Sequence, residues 1–578
     1  MLENKQNRIN TTSIDTLEDD WPGQMSSRVD PGESIDEWPT LVNLTAVNND
    51  WSHRNELEIQ YSWAIDEMAT WILPVVSAKP NRGIATGTHT AADASVESHI
   101  ALLLSFIKSS GIYALASVAL PLITLVLAPF LTHYLSPTDY GVLTILNTFI
   151  SLGAGITQLG LASAFFRAYG YDYTSYDDRR DVLATSTSLL CLISIPTVVG
   201  GVILAPFLAG ILFGRSSLGS IVELALVVIL LQNLTVPGFA WMRAEGRAHF
   251  YSSLSISSLL ITLLANLVLV GRFHMGIAGA LIATGSGYVS VIICTVPFIM
   301  VRAGIRIRVD ITKSMLAFGL PLVLNLASFW VLQLSDRYLL SLFGSLAQTA
   351  RYAAAYTLGS AMSVIVMGPF TLAWPTTMFA IAKRKDALQV FKLVFRWFGM
   401  FLLFAAFGLS FVGTSLLNWL FPVSYHSASF VIPLVAASIA FYGIYYVFMV
   451  GANVTRKTWL TAVFTTIAAI VNVALNLFLI PHYQAMGAAV STLVAYFVLA
   501  LVAYIVNHRI YPISFEVGRF VVALLVGIAF YIGSSFLSSS QGIFGACGIY
   551  VGALALYGLC LVVLARPPAW SHLREQKL

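Results

Sequence analysis

From about position 110 to 565 the chain alternates apolar runs of twenty or more residues with short polar loops. Such runs exceed the 18 or so residues that read as a membrane helix, and they lack the ten-residue alternation of an outer-membrane barrel. The pattern predicts fourteen spans, near 110–133, 142–165, 182–213, 219–241, 251–271, 276–300, 314–342, 353–378, 397–421, 427–450, 459–480, 487–507, 518–537 and 542–565. The expected fold class is an all-α polytopic membrane protein.

The runs repeat. Asn266-Leu267-Val268-Leu269 leads to Met275-Gly276-Ile277-Ala278, and Asn476-Leu477-Phe478-Leu479 leads to Met486-Gly487-Ala488-Ala489, while Leu120-Pro121-Leu122 recurs as Leu320-Pro321-Leu322. An even period of six spans makes the halves parallel repeats about an axis along the membrane normal. The expected layout is therefore a first six-helix bundle at 106–310, a second at 311–510, and two additional C-terminal helices with a short tail at 511–578. A membrane protein of two similar halves reads as a transporter, because two bundles can rock about a site between them.

Charge then orients the chain. One set of alternate loops and ends carries twenty-one Lys and Arg residues, from Arg167 and Arg179 through Arg243, Arg247, Arg302, Lys383 and Arg396 to Lys577, whereas the opposite loops hold only Arg215, Arg272 and Arg351. The positive-inside rule places the basic set, and with it both termini, in the cytoplasm of a cell whose cytoplasmic membrane the protein crosses.

Composition agrees: 57% of residues are hydrophobic and 10% charged, against roughly 25% charged in a soluble domain. Residues 1–105 are different material. The first hundred hold 16 acidic and 6 basic side chains, with Trp21, Trp38, Trp51, Trp63 and Trp71 among them. They read as an acidic, largely disordered cytoplasmic extension with no signal peptide. The four cysteines lie in apolar runs and suggest neither disulfide nor metal site. No phosphate-binding Gly loop, His-Glu-x-x-His or Gly-x-Ser-x-Gly occurs, so no enzyme, cofactor, metal or nucleic-acid partner is expected.

Candidate chemistry rests on polar groups inside the spans, where a charge near the bilayer centre costs at least about 2.5–3.5 kcal/mol. Asp336 and Arg337 fall toward the outer end of span seven, Glu223 toward the outer end of span four, and Arg167 closes span two. On a helix the side chains of Asp336 and Arg337 diverge by about 100°, so each is expected to find a partner elsewhere. Arg167 and Arg337 could equally snorkel to an interface, and Glu223 could sit among headgroups. Asn266 and Asn476 hold equivalent repeat positions; asparagines in spans commonly bond across helices.

Several short motifs resemble one family. Leu135-Ser136-Pro137-Thr138-Asp139-Tyr140-Gly141, Gly160-Leu161 followed by Phe166-Arg167, and Asp336-Arg337 with Leu340 and Tyr352 resemble Wzx-type polysaccharide flippases of the multidrug/oligosaccharidyl-lipid/polysaccharide exporter superfamily, over about residues 106–565. The resemblance implies a MATE-like fold and movement of a polyprenyl-(pyro)phosphate-linked oligosaccharide from the inner to the outer leaflet for polysaccharide biosynthesis. Its partners would be that substrate, membrane lipids, and a polysaccharide polymerase with glycosyltransferases. Arg167 and Arg337 would meet the phosphate, because a guanidinium fork binds phosphate oxygens at two points. Arg243, Arg247 and Arg396 would be entry contacts, Asn266 and Asn476 further substrate contacts, and Asp336 or Glu223 the site of a coupling ion. A cation-coupled multidrug exporter of the MATE type and a lipid II flippase are the alternatives.

Overall fold

The computed structural model describes residues 123, 125–173, 175–457, 459–538 and 543–565. The expectations for 1–105, for Leu120-Pro121-Leu122 and for the basic tail after 565 lie outside the described residues. Twelve helices among the described residues are long and apolar enough to cross a membrane, and Leu125–Tyr134 (α1) is a shorter apolar one. No strand occurs among the described residues. The chain is a multi-pass helical membrane protein.

Two expected spans are broken in the middle rather than continuous. Span two is α2 (Pro137–Thr157) followed by α3 (Leu161–Arg167) and a π turn over Ala168–Asp172. The break is Leu159 and Gly160, both with positive φ. Span eight is α10 (Leu346–Gly359), then a π turn at Ser363–Met367, then α11 (Gly368–Ala382). Pro369 follows that turn after Gly368. A proline ring clashes with the carbonyl four residues back, and a wider turn makes room for it.

The remaining spans of the first half are α4 (Tyr176–Ile203) with α5 (Ala205–Phe213), α6 (Gly219–Ala244), α7 (Ala248–Asn266) and α8 (Gly276–Ala303). The second half continues with α9 (Val309–Phe343), ahead of α10, then α12 (Ala387–Leu420) and α13 (Val431–Phe448) with its short extension α14 (Val450–Val454). Trp459–Ile510 (α15), Val517–Ser538 (α16) and Ile543–Ala565 (α17) complete the order.

The 52-residue α15 holds both spans expected at 459–480 and 487–507, because the chain turns at Gln484, where φ is 50° and ψ is −128°. A Cβ on Gly487 would lie 2.5 Å from the Leu479 carbonyl oxygen. Eight residues of straight helix rise about 12 Å, so the chain has reversed. The first copy of the repeated motif does likewise: a Cβ on Gly279 would lie 3.3 Å from the Leu269 carbonyl, with His274 and Gly276 at positive φ between them. The repeated Asn-to-Gly segment thus encodes a hairpin, and its asparagines serve that hairpin's first helix. Asn266 donates to the Thr262 carbonyl at 2.8 Å and Asn476 to Asn472 Oδ1 at 3.0 Å, each one turn back.

Packing divides accordingly. Helices α4, α6, α7 and α8 pack on one another, α9, α12, α13 and α15 do the same, and α16–α17 form a pair leaning on α12. Small residues set several of these crossings. The sharpest within the first group is Gly287 of α8, where a Cβ would meet Thr262 Oγ1 at 2.1 Å and the Ser258 carbonyl at 2.8 Å. Replacing Gly287 with Leu is expected to force α7 from α8 and destabilise the protein by about 1–3 kcal/mol, as overpacking of a tight contact does. A thermal unfolding midpoint equal to wild type would show that this crossing tolerates bulk.

Candidate functional site

The two halves meet along a seam made mainly by α2, α9 and α10. Local sequence starts both helices of the closure in the same way. Ser136 caps α2 by accepting from the Asp139 amide at 3.1 Å, with Pro137 at the first turn, and its hydroxyl donates to Asp139 Oδ2 at 2.8 Å. Ser345 caps α10 by accepting from the Gln348 amide at 3.2 Å. A side-chain cap satisfies an amide that the helix cannot, and a proline at the start loses nothing by lacking one.

Just beyond the caps, backbone meets backbone. A Cβ on Gly141 would sit 2.0 Å from the Leu346 carbonyl oxygen, so only glycine admits α10 this closely. Tyr140 beside it turns its ring edge to Tyr425 at 6.2 Å. Tyr338 Oη of α9 donates to the Ile211 carbonyl of α5 at 3.3 Å, a further tie between halves at this end.

Below the breaks the two seam helices part. α3 lies against α4, α6 and α9, whereas α11 lies against α12 and α14. Gly160 and Gly319 of α9 mark the hinge: a Cβ on Gly160 would be 2.4 Å from the Gly319 carbonyl, and one on Gly319 2.4 Å from the Leu159 carbonyl. A buried polar group of three helices holds the break from behind. Gln158 Nε2 donates to Asn233 Oδ1 at 3.1 Å, and Asn233 Nδ2 donates to Thr157 at 2.7 Å and Ser194 at 2.9 Å. α2 and α10 thus meet where they begin, whereas at the end that carries the basic loops α3 stays on α9 and α11 has separate neighbours.

The charged pair sits under the shut end. Asp336 is 1% exposed and accepts from Tyr352 Oη of α10 at 2.5 Å and from the Arg337 amide at 2.8 Å. Arg337 is 12% exposed; its Nη1 donates to the Gln333 carbonyl at 2.9 Å, and its guanidinium lies 4.5 Å above the Tyr356 ring. Both residues find the expected further partners, and both are tyrosines of α10. They also stay within 4.0 Å of each other. Arg337 is held inside the seam rather than reaching for an interface.

At the basic end the arginines lie on aromatic faces. Arg167 is 5.0 Å from the Phe318 ring and 3.4 Å from Asp172. Arg243 lies 4.7 Å from Phe166 and 5.8 Å from Tyr251, Arg247 4.7 Å from Trp241, Arg179 5.4 Å from Tyr169 and Arg302 5.8 Å from Phe298. A ring face orients a guanidinium without cancelling its charge. Arg167 rests on Phe318 of α9, and Arg243 on Phe166, the residue before Arg167 on α3. Arg396 is placed elsewhere, on α12, with both arms on Glu516 at 2.7 and 2.6 Å.

Glu223 is half-buried in α6 and makes no ion pair among the described residues. Asn266 and Asn476 are buried inside their own halves. No cluster of potential metal ligands occurs among the described residues. Sequence reasoning missed Gly141 as the closing contact, Gly319 as the hinge partner and Tyr356 as the ring beneath Arg337. Gly141 ended a motif already noted, and a glycine directly after a capped helix start was the available signal.

With the geometry in place, comparison with known proteins decides the relationship. Residues 106–379 match the polysaccharide biosynthesis protein family. That segment includes every helix of the seam, from α1 to nearly the end of α11. No curated protein sequence matches the chain. Among solved structures, the fold is similar to "Lipid II flippase MurJ, inward closed conformation", with a TM-score of 0.63, 14% identity, and coverage of 78% of this chain and 98% of that one. It is also similar to an inward-facing multidrug resistance MATE family transporter of the MOP superfamily, with a TM-score of 0.53, 14% identity, and coverage of 68% and 93%. At those identities the likeness is one of fold, and the polysaccharide biosynthesis segment accordingly sits in a MATE-like helical architecture.

Gly141→Ala is expected to hold the shut end open by placing a methyl group against the Leu346 carbonyl. A cysteine at buried Ala350 should then react with a membrane-impermeant maleimide added from that side, whereas in an otherwise wild-type background it stays unlabelled. Equal labelling in both backgrounds would remove Gly141 from the closure.

Proposed function

We propose that the protein is a flippase that carries a polyprenyl-(pyro)phosphate-linked oligosaccharide between leaflets by alternating access. The observation that supports this reading most is the asymmetry of the seam: α2 and α10 meet at one end, and their continuations α3 and α11 part at the other, the end where Arg167 and Arg243 lie. A glycan cannot cross hydrocarbon unaided, so it needs a wet cleft between halves that opens to one side at a time.

In this reading the basic end faces the cytoplasm, as the positive-inside rule requires, in the cell membrane. Arg167 and Arg243, with Arg247 at the mouth, receive the phosphate, Arg167 exchanging its contact with Asp172 for it. Opening of the other end separates α2 from α10 and uncovers Arg337, which then draws the phosphate outward. Arg396 contributes no entry contact here, since Glu516 occupies its fork. Asn266 and Asn476 act through their hairpins rather than on the sugar.

An anionic headgroup leaving a negative interior gains about 2.3 kcal/mol per charge per 100 mV, which alone gives direction. Should an ion also be exchanged, Glu223 is the better of the two carboxylates, because Asp336 is already held by Tyr352 and Arg337. The polymerase and glycosyltransferases that make and use the glycan are the expected partners.

Arg337→Ala is expected to reduce translocation at least tenfold while leaving membrane insertion intact, since an arginine buried in a span persists at a cost. Full-length protein in proteoliposomes would be assayed with a fluorescent oligosaccharide on polyprenyl diphosphate, following its protection from an external glycosidase. In cells, deletion should accumulate the lipid-linked oligosaccharide at the inner leaflet, and mass analysis would name the sugar. Wild-type protein that moves cationic drugs and leaves the glycolipid untouched would overturn the reading in favour of drug export.

A further inference from the structure

The foot of the α16–α17 pair carries a cluster that the transport reading does not use. Glu516, just before α16, is shared by three cations: Arg396 with two hydrogen bonds of 2.6 and 2.7 Å, Lys392 at 3.3 Å and Arg519 at 3.1 Å. Arg396 also reaches the Ala565 carbonyl at the end of α17, at 3.5 Å. Burial would raise the Glu516 pKa, yet its bonds to Arg396 and Lys392 hold the carboxyl below the usual range, so it stays ionised. Lys392 and Arg396 alone already outnumber it, and the cluster is cationic.

Accessibility divides its members. Arg396 is 9% exposed and sits at the centre, while Lys392 and Arg519 keep 36% and 27% of their side-chain surface open. About 100° round α12 from the face of Lys392 and Arg396, the helix presents an exposed apolar stripe of Leu393, Trp397, Phe401 and Phe404, spaced four, four and three residues apart and therefore on one face that flanks the cluster. A cationic group at a helix foot, continued by an apolar stripe with a tryptophan near its start, has the layout of a phospholipid: charge first, then chain. Basic pockets between membrane helices on the cytoplasmic side recognise anionic headgroups by this complementarity.

We infer that Lys392 and Arg519, braced by Arg396 and Glu516, form a binding site for the headgroup of an anionic bilayer phospholipid, whose acyl chain lies along Leu393, Trp397 and Phe401. The site is separate from the seam, and its occupant joins α12 to the α16–α17 pair from outside.

The test titrates phosphatidylglycerol, and separately phosphatidylcholine, into the detergent-solubilised full chain and follows retained lipid by native mass spectrometry. Phosphatidylglycerol should bind in preference to phosphatidylcholine. Lys392→Gln and Arg519→Gln should each weaken it about fivefold, the loss of one basic residue near an anionic lipid. Lys392→Arg should keep it, and Lys383→Gln, in the neighbouring basic loop, should leave it unchanged. Equal retention of phosphatidylcholine, no effect of both glutamine variants, or a loss in Lys383→Gln as large as in Lys392→Gln would overturn the assignment, the last by showing diffuse surface charge. The readout needs no transport, so its failure and a failure of the flippase reading are separable.

Discussion

The contact between the Gly141 backbone and the Leu346 carbonyl is the constraint on which the seam depends. Two helix starts, each with a serine cap, can approach to backbone distance only where a side chain is missing from the path. Once they do, Tyr140, Tyr352 and Tyr356 close over the Asp336–Arg337 pair, and two charges that are costly in a membrane interior become tolerable because each has a named partner. Without the close approach those charges would face water from the shut end.

The halves are alike in plan and unlike in chemistry. Arginines of the first half at the basic end rest on Phe166, Phe318, Tyr169, Trp241 and Phe298, which steer without neutralising. In the second half the cations near Glu516, and Arg384 beside Asp386 at 2.8 Å, are tied to carboxylates. The division is not complete, since Arg167 also lies 3.4 Å from Asp172, and Arg308 pairs with Asp178 and Asp181 of the first half.

Much of the fold was legible because membrane helices leave a strong signal. Apolar length placed the long helices among the described residues, and the repeated Asn-to-Gly segment marked a hairpin that recurs in the structure. Breaks were harder to read. Leu159 takes a left-handed conformation that its residue type does not advertise, and the π turn at Ser363–Met367 is visible in sequence only as Pro369. At the seam, sequence singled out Asp336, Arg337 and Arg167 because charges in spans are rare. It could not tell that Arg396 is bound by Glu516, 120 positions away. It also could not tell that Asn266 and Asn476 turn back on their own helices. For Arg396 it is long-range pairing that decides whether the group is available, and nothing local encodes it.

The paired breaks have a mechanical consequence. Because α2 and α10 are jointed at comparable depth, the parted lower arms can swing inward while the upper arms stay docked. On the proposed alternating-access reading, such joints would let both mouths shut at once, so that a bulky cargo is handed over without opening a leak for protons.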